Sequence, residues 1–113
     1  MPLFHFLVRA FDGQDGITIR AEIRETHRAH LRRPTPDCRC ILGGPLRNDQ
    51  GEMIGTALVF EASSRAAVER FMADDPYVKA RLFVRLETDV WTIGLGTIDT
   101  SDQPTTGSAP TLR

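Results

Sequence analysis

The chain has 113 residues and weighs 12.6 kDa, a length that suits one domain with a single core. Its 41% apolar and 26% charged residues are those of an ordinary globular protein, and no run approaches the roughly 20 apolar residues needed to span a bilayer. With 14 basic against 15 acidic residues the net charge is −1, so the chain as a whole does not attract phosphate backbones or anionic lipid, which argues against nucleic acid and membrane as partners.

The opening segment, Met1-Pro2-Leu3-Phe4-His5-Phe6, lacks a basic region, and Arg9 breaks its apolar run; it does not read as a signal peptide, and a cytoplasmic location is expected. From Leu3 to Phe11, Phe4, Phe6, Val8 and Ala10 alternate onto one face and Asp12-Gly13 closes the segment, the pattern of a first strand. From Ile17 to about Leu31 the period changes: Ile19, Ile23, Thr26, His27, His30 and Leu31 recur at three- and four-residue spacing, which predicts an amphipathic helix. Pro34 ends it, and Pro34-Thr35-Pro36-Asp37 reads as a rigid turn.

A second strand runs from Cys38 to Leu42, where Gly43-Gly44-Pro45 is expected to interrupt it. The polar turn Asn48-Asp49-Gln50-Gly51 joins it as a hairpin to a third strand, Met53 to Phe60. Ser63 or Ser64 can cap a second helix whose buried side is Ala66, Ala67, Val68, Phe71 and Met72, and which stops near Asp74-Asp75-Pro76. Val84, Leu86, Thr88 and Val90 then alternate with Arg85, Glu87, Asp89 and Trp91, as in a half-buried fourth strand.

The order strand, helix, strand, strand, helix, strand predicts an α+β domain of ferredoxin-like βαββαβ type, an antiparallel sheet with two helices on one face. The other sheet face would carry Phe, Leu and Trp side chains that nothing in the chain covers, and a homodimer through that face is the simplest solution. The domain is expected to occupy residues 1–96, and the polar stretch 97–113, without apolar periodicity, to form a flexible tail.

Histidine is the side chain whose ordinary pKa lies nearest neutrality, so His27 and His30 are the first candidates for proton transfer. His30 falls near the centre of the helix's apolar stripe and reads first as a hydrogen-bonded core residue; His27 lies on its rim, where a cleft can form. Asp75, held extended before Pro76, either orients an imidazole or simply ends a helix. Gly43-Gly44-Pro45 reads as an oxyanion-binding corner of bare backbone amides or as a bulge. Arg20, Arg24, Arg28 and Arg32 recur every four residues, a stripe that reads as a solvated face, with Arg24 set apart as a candidate anion contact one turn before His27. Lys79 is the only lysine, an arginine bias that suits bidentate anion contacts and codon usage equally. Zinc held by His27, His30, Cys38 and Cys40 is disfavoured, because i, i+2 cysteines on a strand do not form a chelating turn; no metal or other cofactor is expected.

The motifs Arg24-Glu25-Thr26-His27-Arg28-Ala29-His30-Leu31, Gly43-Gly44-Pro45-Leu46 and Asp74-Asp75-Pro76-Tyr77-Val78-Lys79-Ala80, followed by Leu82-Phe83 and a strand with Trp91, resemble in order and spacing the YciI-like (YCII-related domain) family of the dimeric α+β barrel superfamily, over roughly residues 3 to 94. The resemblance implies a ferredoxin-like dimer with a pocket in which His27 and Asp75 form an acid-base pair. Arg24, Gly43, Gly44, Pro45, His30 and Tyr77 would then be substrate-binding. Two residues depart from the family pattern: Arg81 stands where glycine is common, which would narrow or charge the pocket region, and His30 where an aromatic is frequent. The reading is a small homodimeric enzyme that performs cofactor-independent acid-base chemistry on a lactone or carbonyl compound; the alternative is a noncatalytic metabolite-binding or accessory domain.

Overall fold

The computed structural model describes residues 2–98. The elements are β1 (Phe4–Asp12), α1 (Gly16–Leu31), β2 (Cys38–Arg47), β3 (Met53–Ala62), α2 (Arg65–Ala73), α3 (Pro76–Lys79) and β4 (Phe83–Val90). The strands form one sheet in the order β2-β3-β1-β4, with antiparallel pairing throughout. This is the expected α+β arrangement with its helices on one face. From residue 99 onward the polar tail lies outside the described residues.

Side-chain alternation decides which face is buried. Phe6 pairs with Phe60 and Val8 with Leu58 across the β1–β3 ladder, so these four share the helix-facing side. They pack with Ala67, Val68, Phe71 and Met72 of α2 into the core. Burial of each of the larger apolar side chains contributes about 1.5–3 kcal/mol. Ser64 starts α2, its hydroxyl accepting from the Ala67 amide at 3.1 Å. The opposite sheet face is mixed: Leu42, Val59 and Leu7 form an apolar row, next to an ion pair in which Arg9 reaches Glu87 at 2.8 Å.

Five details differ from the sequence reading. Gly43-Gly44-Pro45 does not interrupt β2, which continues to Arg47; the register irregularities flank it, between Cys40 and Leu42 and between Leu46 and Arg47. Because β2 is an edge strand, Pro45 can lack an amide hydrogen without breaking a ladder. Ala66 is exposed, and α1 loses helical geometry at Ile23 (φ −124°, ψ 16°). The turn after Asp75 is a short helix, α3. Finally, Val84, Leu86 and Val90 of β4 remain 74%, 40% and 57% exposed, since the core beneath the helices draws on β1, β2 and β3.

The end of α3 sets the backbone at Arg81, the position where the resemblance implies glycine. The Leu82 amide donates to the Tyr77 carbonyl and the Arg81 amide to the Val78 carbonyl, both at 3.0 Å, which places Arg81 in the left-handed region at φ 62°. Such a helix end favours glycine because a side chain is strained there. Arg81 itself is exposed and does not line the main cavity, so it neither narrows nor charges it.

Candidate active site

The site begins where β1 meets α1. The Asp12 carboxylate closes on the first turn of α1, where a side chain at Gly16 would come within 2.9 Å of its oxygen. One turn later Arg20, only 6% exposed, donates through Nε to Asp12 Oδ2 at 2.8 Å and through Nη2 to Asp12 Oδ1 at 2.9 Å. Nη2 also reaches the Gly55 carbonyl at 2.9 Å and Thr56 Oγ1 at 2.8 Å. Burial alone would loosen the guanidinium's proton, but the hydrogen bonds and charge of Asp12, with help from Tyr77, outweigh it and leave the Arg20 pKa raised. The expectation of a solvated face therefore fails at Arg20.

Two turns beyond Arg20 the same helix side carries His27, 6% exposed. Asp75 caps α3 and is fully buried; its Oδ1 accepts from the Tyr77 amide at 2.9 Å and lies 2.8 Å from His27 Nδ1. Asp75 Oδ1 already accepts the Tyr77 amide hydrogen, which suits it to accept from Nδ1–H of His27 as well and leaves Nε2 as the ring nitrogen outside this contact. Asp75 Oδ2 is buried without a partner. The Tyr77 ring stacks on the imidazole, centroids 3.8 Å apart and planes at 17°, and the Arg20 guanidinium lies 5.2 Å from the Tyr77 ring centroid.

Of these residues, Arg20, His27, Thr56 and Tyr77 border a cavity of about 600 Å³ between α1 and the β2–β3 hairpin. Arg24, His27, Gly43, Gly44, Pro45 and Tyr77 all line it. At Gly43 a side chain would run into Leu58 Cδ2 at 2.6 Å, so glycine keeps this wall thin. Arg28 and Arg32 join Arg24 along the mouth, so the arginine stripe borders the cavity where a merely solvated face was expected. At four-residue spacing each step advances about 40° around the axis, which carries the stripe from buried Arg20 to the exposed rim.

His30 is placed elsewhere. Its Nε2 bonds the Phe71 carbonyl at 2.9 Å, its ring leans on Phe71 at 4.4 Å, and it lines a separate cavity of about 240 Å³ with Thr35, Asp37 and Arg70. The four zinc candidates are likewise not brought together: Cys38 joins the core, Cys40 lines the main cavity and His30 faces the smaller one. Burial pushes the Cys38 thiol up to about 12. Cys40 is pushed up to about 11, chiefly by burial and further by the charge of Asp75, against the lowering effect of its contact with the Leu42 backbone. Both therefore remain protonated thiols near neutral pH. Sequence reasoning missed the burial of Arg20 and its contacts to Asp12 and Thr56. Its seven-residue distance from His27, which puts the two on one helix side, was the available signal.

Fold and site together define a two-layer α+β protein with a histidine-carboxylate pair at the edge of a small-molecule-sized cavity. The chain belongs to the YCII-related domain family, whose model matches residues 4–92. Among solved structures it is similar to 5-chloro-2-hydroxyhydroquinone dehydrochlorinase (TftG) from Burkholderia phenoliruptrix AC1100, in complex with 2,5-dihydroxybenzoquinone, at 28% identity and a TM-score of 0.69 over 80% of this chain and 95% of that one. SnoaB, a cofactor-independent oxygenase from Streptomyces nogalater, shares the fold at 17% identity and a TM-score of 0.51, covering 85% of this chain and 97% of its own. A putative antibiotic biosynthesis monooxygenase from Bacteroides thetaiotaomicron does so at 14% identity and a TM-score of 0.53, covering 87% and 95% respectively. No curated protein matches. No helix among the described residues is long and apolar enough to cross a membrane.

Proposed function

We propose that the protein is a small-molecule enzyme that moves a proton through His27. The observation that carries this reading is the 2.8 Å bond from His27 Nδ1–H to Asp75 at the wall of the main cavity. With Nδ1 committed to the carboxylate, Nε2 is the basic nitrogen; it takes a proton from a hydroxyl or activated C–H group and returns it to a second atom of the same molecule. Asp75 holds the tautomer and stabilises the imidazolium formed in between, and the stacked Tyr77 ring restricts the imidazole's rotation. This chemistry needs no cofactor. Arg24 and the backbone at Gly43 and Gly44 then serve the oxygens of the substrate.

The 28% identity to a dehydrochlorinase favours hydroxylated rings and related carbonyl compounds as the substrate class. Chloride release from 5-chloro-2-hydroxyhydroquinone, followed in the wild type and in His27→Ala, tests the reading; turnover that survives the substitution overturns it. The burial of the pair, at 6% and 0% exposure, favours a second reading in which the same bond is structural and the cavity merely holds a metabolite. An imidazole that fails to titrate in nuclear magnetic resonance would support that alternative.

The open sheet face, with Leu42 and Trp91 at 56% and 44% exposure beside the Arg9–Glu87 pair, supports a homodimer; a monomer in sedimentation velocity at micromolar concentration would overturn it. The free thiols Cys38 and Cys40 suit a reducing, cytoplasmic setting.

A further inference from the structure

We propose that the main cavity selects an organic molecule carrying two separate acidic groups, its apolar body beside His27 and its carboxylates toward the arginines of the mouth. The inference rests on the cavity being a small-molecule site. It follows from charge: Arg20, Arg24, Arg28, Arg32 and Arg47 line the cavity and no aspartate or glutamate does, although the whole chain has 14 basic and 15 acidic residues.

The five arginines are not equivalent. Arg20 is matched by Asp12 at 2.8 Å and carries no spare charge. Arg28 approaches Glu25 only to 3.6 Å, and Arg47 donates to the Gly51 carbonyl at 2.7 Å. Arg24 and Arg32 are exposed, and among the described residues neither side chain enters an ion pair or a hydrogen bond. Like charges at i, i+4 repel along a helix, so Arg24, Arg28 and Arg32 oppose one another with little relief from the protein, which an anionic ligand would supply. These three spread over about 12 Å of helix axis, more than one carboxylate can bridge, which is why two separated acidic groups fit better than one. Leu31, Ile41, Pro45, Met53 and Leu58 line the same space and suit an apolar body.

The test compares benzene-1,3-dicarboxylate, benzoate and benzene-1,3-dicarboxamide, with charges of two, one and zero on one ring, by following amide and imidazole resonances during titration. The dicarboxylate is expected to bind about tenfold tighter than the dicarboxamide, with benzoate between them, and to lose that advantage at high salt. R24Q/R32Q, on exposed positions, should abolish the preference by weakening the dicarboxylate far more than the dicarboxamide. R33Q, outside the cavity lining, should retain it. Equal binding of the three ligands, or a preference that survives R24Q/R32Q, overturns the proposal. Phenyl phosphate binding as tightly as the dicarboxylate would overturn the requirement for two groups. His27→Ala separates the two ideas: it removes turnover if the acid-base reading holds, whereas charge preference in that variant persists if this one does.

Discussion

His27 and His30 leave the same helix about 60° apart around its axis, yet they meet different chemistry. His27 faces a buried carboxylate on one side and the larger cavity on the other; His30 gives Nε2 to the Phe71 carbonyl and borders a cavity less than half the size, about 240 against 600 Å³. A carbonyl can fix a ring in place, but it carries no charge with which to stabilise an imidazolium. A carboxylate does both. On the proposed reading, the difference between a helix-packing histidine and a proton carrier is set by the partner on the next element.

The most severe test of that contrast is activity. His27→Ala should lower kcat by roughly two to four orders of magnitude, the range of general acid-base catalysis, while His30→Ala should stay within about threefold of wild type. Equal losses in steady-state assays would erase the distinction. Next comes the support beneath His27: Arg20→Ala leaves Asp12 as a buried unpaired charge and should destabilise the fold by about 3–5 kcal/mol in denaturant titration. The double replacement D12N/R20M should recover most of it. The equivalent change on the other side, His30→Ala, removes one bond to a carbonyl and some packing on Phe71, and should cost only about 1 kcal/mol.

The thiol at the cavity wall gives a pH readout. Cys40 has its folded pKa raised from 9.0 to about 11. The stability contributed by its neutral form is therefore complete below pH 9 and is lost as the pH rises through about 11. Iodoacetamide labelling of the native protein should be slow at pH 8 and accelerate only above pH 10. Fast labelling at pH 8 would show that water reaches the wall more freely than the geometry indicates. The smallest expected effect is at Arg81, where relief of the left-handed backbone by Arg81→Gly should raise stability by about 0.5–1 kcal/mol without changing kcat.

Much of this architecture was legible in the chain. The period-two run of β1, the three-and-four period of α1, the Ser64 cap and the Asn48–Gly51 turn are local signals, and each element formed within a few residues of its expected place. Gly43-Gly44-Pro45 misled because glycine and proline ordinarily break a strand, whereas an edge strand tolerates both. The pairing of His27 with Asp75 was suggested by the family resemblance; no spacing rule relates residues 48 apart. The arginine stripe is exposed at Arg24, Arg28 and Arg32, as a solvated face should be, and departs from that reading at Arg20; its place beside the cavity was not legible because net charge averages over the chain and says nothing about a cavity lined by five arginines and by no aspartate or glutamate.

What the sequence by itself determined was therefore the succession of strands and helices and the residues able to do acid-base chemistry, since backbone preferences and side-chain periodicity act over a few neighbouring positions. Only the tertiary structure decided which histidine meets Asp75, which arginine is buried against Asp12 and Thr56, and where a cavity opens. Those outcomes depend on desolvation and on contacts between distant elements, and such energies arise only when the layers close.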